Sequence, residues 1–118
     1  MVQVTRARPG SKIITAVAYG RAKPGQEEVL GRRMLDLIAP TIVEPGCINY
    51  DLYRSNDDPA LWMFIENWRS QEDLDAHIQS EHFRHFFATK EDVLIGTTEK
   101  FQLSLVFPSS AIAVGQKR

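Results

Sequence analysis

The chain has 118 residues, and 14 lysines and arginines against 15 aspartates and glutamates leave a formal net charge of −1. With 43% hydrophobic and 25% charged residues it can bury a core of its own, which excludes global disorder and sets the expectation at one domain. So even a charge balance offers no footprint for nucleic acid, the single Cys47 excludes an internal disulfide framework and fits a reducing cytoplasm, and no run reaches the ~18–20 apolar residues that cross a bilayer. Residues 1–11 carry Arg6 and Arg8 without a small-residue cleavage pattern, so they read as an N-terminal extension rather than a signal peptide. Residues 108–118 read as a loose C-terminal tail on a folded body of residues 12–107.

Residues 13–19 are rich in β-branched and aromatic side chains and apolar on both parities, the pattern of a strand buried on both faces. Pro24-Gly25 ends it. Val29, Leu30, Met34, Leu37, Ile38 and Ile42 then recur at the spacing of one helix face, with Glu27 and Glu28 near the positive end of the helix dipole. Pro40 is expected to kink or end this helix for want of an N–H, and Glu44-Pro45-Gly46 to turn the chain. Ile48, Tyr50 and Leu52 alternate with Asn49, Asp51 and Tyr53, a strand with one buried face. A polar loop at 56–59 joins it, as a hairpin, to residues 61–68, which begin apolar on both parities. Ser70 and Asp73 have capping-box spacing ahead of Leu74, His77 and Ile78. Ser80 is placed to cap a second helical piece carrying Phe83, Phe86 and Phe87, which Gly96 is expected to close. Phe101, Leu103 and Leu105 alternate with Gln102 and Ser104 as the last strand.

The order is βαββαβ, a ferredoxin-like α+β fold: an antiparallel sheet with both helices on one face and the first and third strands central. The two strands that this topology makes central are those apolar on both faces. One helical layer covers one sheet face, so the other needs a partner, and a second copy about a two-fold axis is the expected one. A homodimer in the form of an α+β barrel follows.

No glycine-rich phosphate loop and no flavin or nicotinamide fingerprint is present, so no cofactor is expected. Residues 66–85 hold all three histidines. His77, between Leu74 and Ile78, points its ring along the apolar helix face toward the sheet. There it is either a core group satisfied by a carboxylate such as Glu66 or by a carbonyl, or a catalytic base. His82 and His85 read as more exposed. They lie one turn apart beside Glu81, but no second ligand cluster completes a site, and no metal is expected. Trp68 reads as core or as a stacking surface for a flat ligand, and Asn67 has the opposite parity. Tyr50 and Tyr53 likewise face opposite sides. Cys47 reads as a small half-buried side chain, with no neighbouring His or Lys in sequence to activate it.

Glu44-Pro45-Gly46-Cys47 before a strand with Tyr50, then Glu66-x-Trp68, then Leu74-x-x-His77-x-x-Ser80-x-His82-Phe83, resembles the antibiotic biosynthesis monooxygenase family of dimeric α+β barrels. The resemblance runs over residues 12–107. It implies oxidation of a small phenol, quinol or anthrone by O2 without metal or flavin, in a cavity between sheet and helices. His77 would be the base, with Tyr50, Glu66, Asn67, Trp68, His82 and Phe83 about the substrate. The same motifs resemble an isomerase of a phosphorylated signalling sugar, whose phosphate Arg54, Arg69 or Arg84 would have to hold. A dimeric small-molecule-binding protein without turnover is the non-enzymatic reading. The haem-degrading branch fits poorly: residues 13–19 contain no Asn, His77 stands near that branch's Trp, and Phe87 stands near its haem ligand.

Overall fold

The computed structural model describes residues 12–112, so the expected N-terminal extension and residues 113–118 of the expected tail lie outside the described residues. The alternating and two-faced segments become four strands, β1 (Ile14–Ala22), β2 (Cys47–Arg54), β3 (Leu61–Trp68) and β4 (Leu94–Ser104). They form one sheet in the order β2-β3-β1-β4, with every neighbouring pair antiparallel. Four helices join them: α1 (Glu27–Leu35), α2 (Ile38–Ile42), α3 (Gln71–Ile78) and α4 (Glu81–Thr89). This is the ferredoxin-like arrangement with β1 and β3 in the middle, as their apolar character on both faces requires. None of the described helices is long and apolar enough to cross a membrane.

The core lies between the sheet and the helices and is built from Leu30, Met34, Leu37, Tyr50, Phe64, Trp68, Leu74 and Leu94. On β3, Phe64, Glu66 and Trp68 are buried toward the helices, while Met63, Ile65 and Asn67 alternate onto the other face. Trp62 shares the helical side and donates its indole N–H to the Glu27 carbonyl, 3.1 Å away, fastening α1 to the sheet. Both serine caps form. The Asp73 N–H donates to Ser70 Oγ at 3.1 Å, and the Phe83 N–H donates to Ser80 Oγ at 3.2 Å, so α3 and α4 start where the sequence places them.

Two local expectations need correction. The single helix of residues 29–42 is two, because the chain breaks around Asp36 and Leu37 rather than after Pro40. Proline at that position sits in the first turn of α2, where its missing N–H has no intrahelical partner to lose. The break rotates Ile42 off the buried face, and Val29 is also exposed. Gly96 closes no helix. It lies within β4 at φ +67, beside the register shift between Tyr19 and Arg21, so it supplies the backbone conformation of a bulge in a strand that starts earlier than its apolar alternation suggests. Phe101 and Leu103 alternate in β4 as expected and are 50% and 52% exposed, while Leu105 lies beyond the strand's end. Phe101 pairs with Val17 and Leu103 with Thr15, on the sheet face that carries no helix.

Candidate functional site

The site starts at a turn. Gly46 adopts φ +87, which an L side chain rarely tolerates, and a Cβ there would land on the carboxyl of Asp73 at the start of α3. The Arg69 N–H donates to the Gly46 carbonyl at 2.8 Å, and the Cys47 N–H to that of Glu44 at 3.2 Å. These contacts fasten the turn to the end of β3 and the start of α3, and so hold the Glu44 carboxylate over the last turn of α3.

His77 is on that last turn and is 2% exposed. Its Nδ1 lies 3.1 Å and 3.2 Å from the two Glu44 carboxylate oxygens. His82, on the first turn of α4, brings Nε2 to 2.5 Å from Glu44 Oε2. The His77 ring is walled by Trp68, Tyr50 and Phe83, with ring centroids 4.9, 5.2 and 5.2 Å away. A carboxylate only accepts, so Glu44 selects the His77 tautomer with the proton on Nδ1 and leaves the lone pair on Nε2. Among the described residues that buried Nε2 has no hydrogen-bond partner. Burial pushes the His77 pKa down, partly opposed by Glu44, and the net displacement is downward, so the ring is a neutral acceptor at neutral pH.

Two adjoining cavities lie against these residues. The larger, about 50 Å³, is lined by Tyr50, Phe64, Glu66, Phe83, Phe87 and Lys100 among others. The smaller, about 40 Å³, is lined by His77 and shares Ala18, Glu66, Phe83 and Lys100 with the larger. Glu66 therefore faces both. It is 4% exposed, accepts the Trp68 indole N–H at 2.9 Å, and burial pushes its pKa up to about 7, against the pull of that hydrogen bond. A carboxyl so placed is able to donate as well as accept at neutral pH. Burial, with Glu66 and Glu44 nearby, pushes the Tyr50 hydroxyl up and keeps it protonated. Lys100 lies over Phe83, with Nζ 5.9 Å from the ring centroid, and is the lysine or arginine that both cavities share.

The residues singled out in sequence divide accordingly. His77, Tyr50, Glu66 and Phe83 meet at the cavities. His82 instead lines an open cleft between α1 and α4, with Arg33, Asp36 and His85, and reaches the site through Glu44. Asn67 is not at the cavity: strand parity puts it on the opposite sheet face, where it accepts from Thr15 Oγ1 at 2.6 Å and donates to Asn49 Oδ1 at 2.9 Å. Trp68 is fully buried and offers no ring face to the cavities; it anchors Glu66 and backs His77. Glu66 does not orient a histidine. Glu44 does, and in sequence Glu44 reads only as part of a turn because its contact with His77 spans 33 residues. Glu44 also supplies the ligand that the histidines lacked in sequence, since ligand atoms of Glu44, His77 and His82 all lie within 4.8 Å of one another. For Cys47 the fold supplies carboxylates instead of a cation: burial, then Glu44, Glu66 and Asp51, push its thiol up to about 11.

The family model of antibiotic biosynthesis monooxygenases matches residues 13–89, the stretch holding Glu44, Tyr50, Glu66, His77 and His82. The chain belongs to this family. Within it, the chain is 37% identical over 82 residues to a protein of Mycobacterium tuberculosis named "Putative monooxygenase Rv0793", covering 69% of this chain and 79% of that one. It is 32% identical over 79 residues to the protein sll1783 of Synechocystis, covering 67% of this chain and only 54% of the longer relative. Among solved structures of similar proteins, PA3566 from Pseudomonas aeruginosa superimposes with a TM-score of 0.73 at 36% identity, over 79% of this chain and 93% of that one. The structure of Rv0793 gives a TM-score of 0.77 at 27% identity, over 82% and 98%.

Proposed function

We propose that the protein is a cofactor-independent monooxygenase that oxidises a small, flat phenol, quinol or anthrone with O2. The observation that carries this reading is the unpartnered Nε2 of His77 beside an aromatic cavity, in a ring whose Nδ1 is held by Glu44. Family membership and the monooxygenase name of Rv0793 support the reaction class. His77 Nε2 takes the proton of the substrate's acidic O–H or C–H, and Glu44 stabilises the imidazolium that forms. The electron pair stays on the substrate, and the electron-rich anion reduces O2. One oxygen atom enters the product and the other leaves as water, so an anthrone and O2 give an anthraquinone and water. Phe64, Phe83 and Phe87 exclude water from the anion, and the Lys100 ammonium at the cavity favours its negative charge.

The apolar lining favours an aromatic substrate over a sugar phosphate. Of the arginines that would have to hold phosphate, Arg54 is paired with Glu28 at 2.8 Å and stacked on Trp62, away from the cavities. We further propose that a second copy covers the open sheet face bearing Val17, Met63, Ile65, Phe101 and Leu103, and that the protein works in the cytoplasm.

The test is oxygen consumption by chelator-treated protein with a panel of anthrones and hydroquinones, measured against the autoxidation blank and against His77→Gln. Wild-type uptake should exceed the blank and fall about 10²- to 10⁴-fold in the variant, the usual worth of a general base. Unchanged turnover in His77→Gln would remove His77 as the base. Absence of uptake with every phenol would leave the isomerase and binding-protein readings.

A further inference from the structure

We propose that Glu44, His77 and His82 form a binding site for one divalent transition-metal cation of the zinc type, and that its occupancy silences His77 as a base. The inference goes beyond the oxygenase reading. Two imidazoles and one carboxylate are the nitrogen and oxygen donors that borderline cations prefer. The donor atoms already converge: Glu44 Oε2 is 3.2 Å from His77 Nδ1 and 2.5 Å from His82 Nε2, and one ligand atom from each of the three residues lies within 4.8 Å of the others. Ligands ~2.0–2.2 Å from a tetrahedral ion stand about 3.3 Å apart, so the carboxylate and the His82 ring need to part by less than about 1 Å, and donors as far as 4.8 Å apart to close by about 1.5 Å.

The three donors come from segments whose positions are fixed independently. Glu44 is set by the Gly46 turn against Asp73, His77 by aromatic walls on three sides, and His82 by the Ser80 cap at the start of α4. A cation has a route in, because His82 lines the open cleft between α1 and α4 together with the acidic Asp36 and Glu81. Three protein donors leave a further coordination position for water, as in open rather than structural zinc sites.

Occupancy and base catalysis exclude each other for a simple reason. The cation takes the Nδ1 lone pair, so the single proton of the neutral His77 ring moves to Nε2. The nitrogen beside the cavity then donates where it previously accepted, and it no longer takes a proton from substrate.

The experiment is a calorimetric zinc titration of the chelator-stripped full chain, repeated with Co²⁺ by visible absorption. Wild type should bind one ion per chain at micromolar zinc with the absorption of a four-coordinate cobalt site. Glu44→Gln and His82→Gln should each weaken binding by more than about 10-fold, while His85→Gln, in the same cleft, should bind as wild type. His82 is only half-buried, so His82→Gln keeps the test informative should Glu44→Gln fold poorly. No wild-type binding at micromolar zinc, or unchanged binding in both variants, would overturn the site. Oxygen uptake, where present, should fall along the same zinc saturation curve, and uptake that persists at full occupancy would overturn the silencing. The zinc titration needs no substrate, so its failure and the failure of the oxygenase reading are separate results.

Discussion

The two faces of one four-stranded sheet are built from the same alternation and end in opposite chemistry. Toward the helices, Tyr50, Phe64, Glu66 and Trp68 are buried with His77 against them. The ionisable groups there are displaced from their ordinary pKa values mainly by loss of water. On the open face, Val17, Met63, Ile65, Phe101 and Leu103 surround a short polar chain of Thr15, Asn67 and Asn49, and no described element covers them. A helical layer isolates charge and makes it reactive; a bare apolar face with a few satisfied polar groups is suited to meeting another surface.

The contrast is open to attack from both sides. The largest effect is expected on the open face, where Ile65→Lys combined with Phe101→Lys would bring like charges into the proposed contact between copies. Light scattering should then show a monomer in place of the proposed dimer, with association weakened by at least about 10³-fold, since each unpaired charge without water costs several kcal/mol. An unchanged mass would mean that the open face is not the contact.

On the helical face, Glu66→Gln sharpens the comparison through pH. The Glu66 pKa is pushed up from 4.5 to about 7 in the fold, so the folded state holds this proton after the unfolded chain has lost it. Wild type therefore loses stability as pH rises from about 4.5 to about 7, and the loss is complete above that window. Glutamine carries no such penalty and keeps an acceptor for Trp68. Urea denaturation at pH 8 should show the variant more stable than wild type by about 3 kcal/mol, at 1.36 kcal/mol per pKa unit. Below about pH 4.5 that difference should vanish. A constant difference across the range would mean that Glu66 is not held neutral by burial.

The smallest effect concerns Cys47, where the thiol is pushed from 9.0 to about 11. Its thiolate fraction at pH 8 is then ~100-fold below that of an unperturbed thiol, and a disulfide reagent should label the native chain that much more slowly than the unfolded one. Equal rates would place Cys47 outside the shielded site.

What the sequence determined by itself is what neighbours along the chain decide. Periodicity of two and of 3.6 placed four strands and the helices between them, serine caps set where α3 and α4 begin, and apolarity on both parities marked β1 and β3 as central. The inward aim of His77 was equally legible, because helix spacing fixes the side it faces. Parity also separated Asn67 from Trp68, although the family motif had drawn both toward one cavity. Tertiary structure alone decided which carboxylate meets the histidines. Glu66 and Glu44 are both close to them in motif order, and nothing in their spacing distinguishes a residue that ends hydrogen-bonded to Trp68 from one that reaches His77 and His82. Burial, the direction of each pKa displacement, and the meeting of three donors from three segments depend on distances between parts of the chain far apart in sequence. Those distances exist only after the turn at Gly46 has closed on α3.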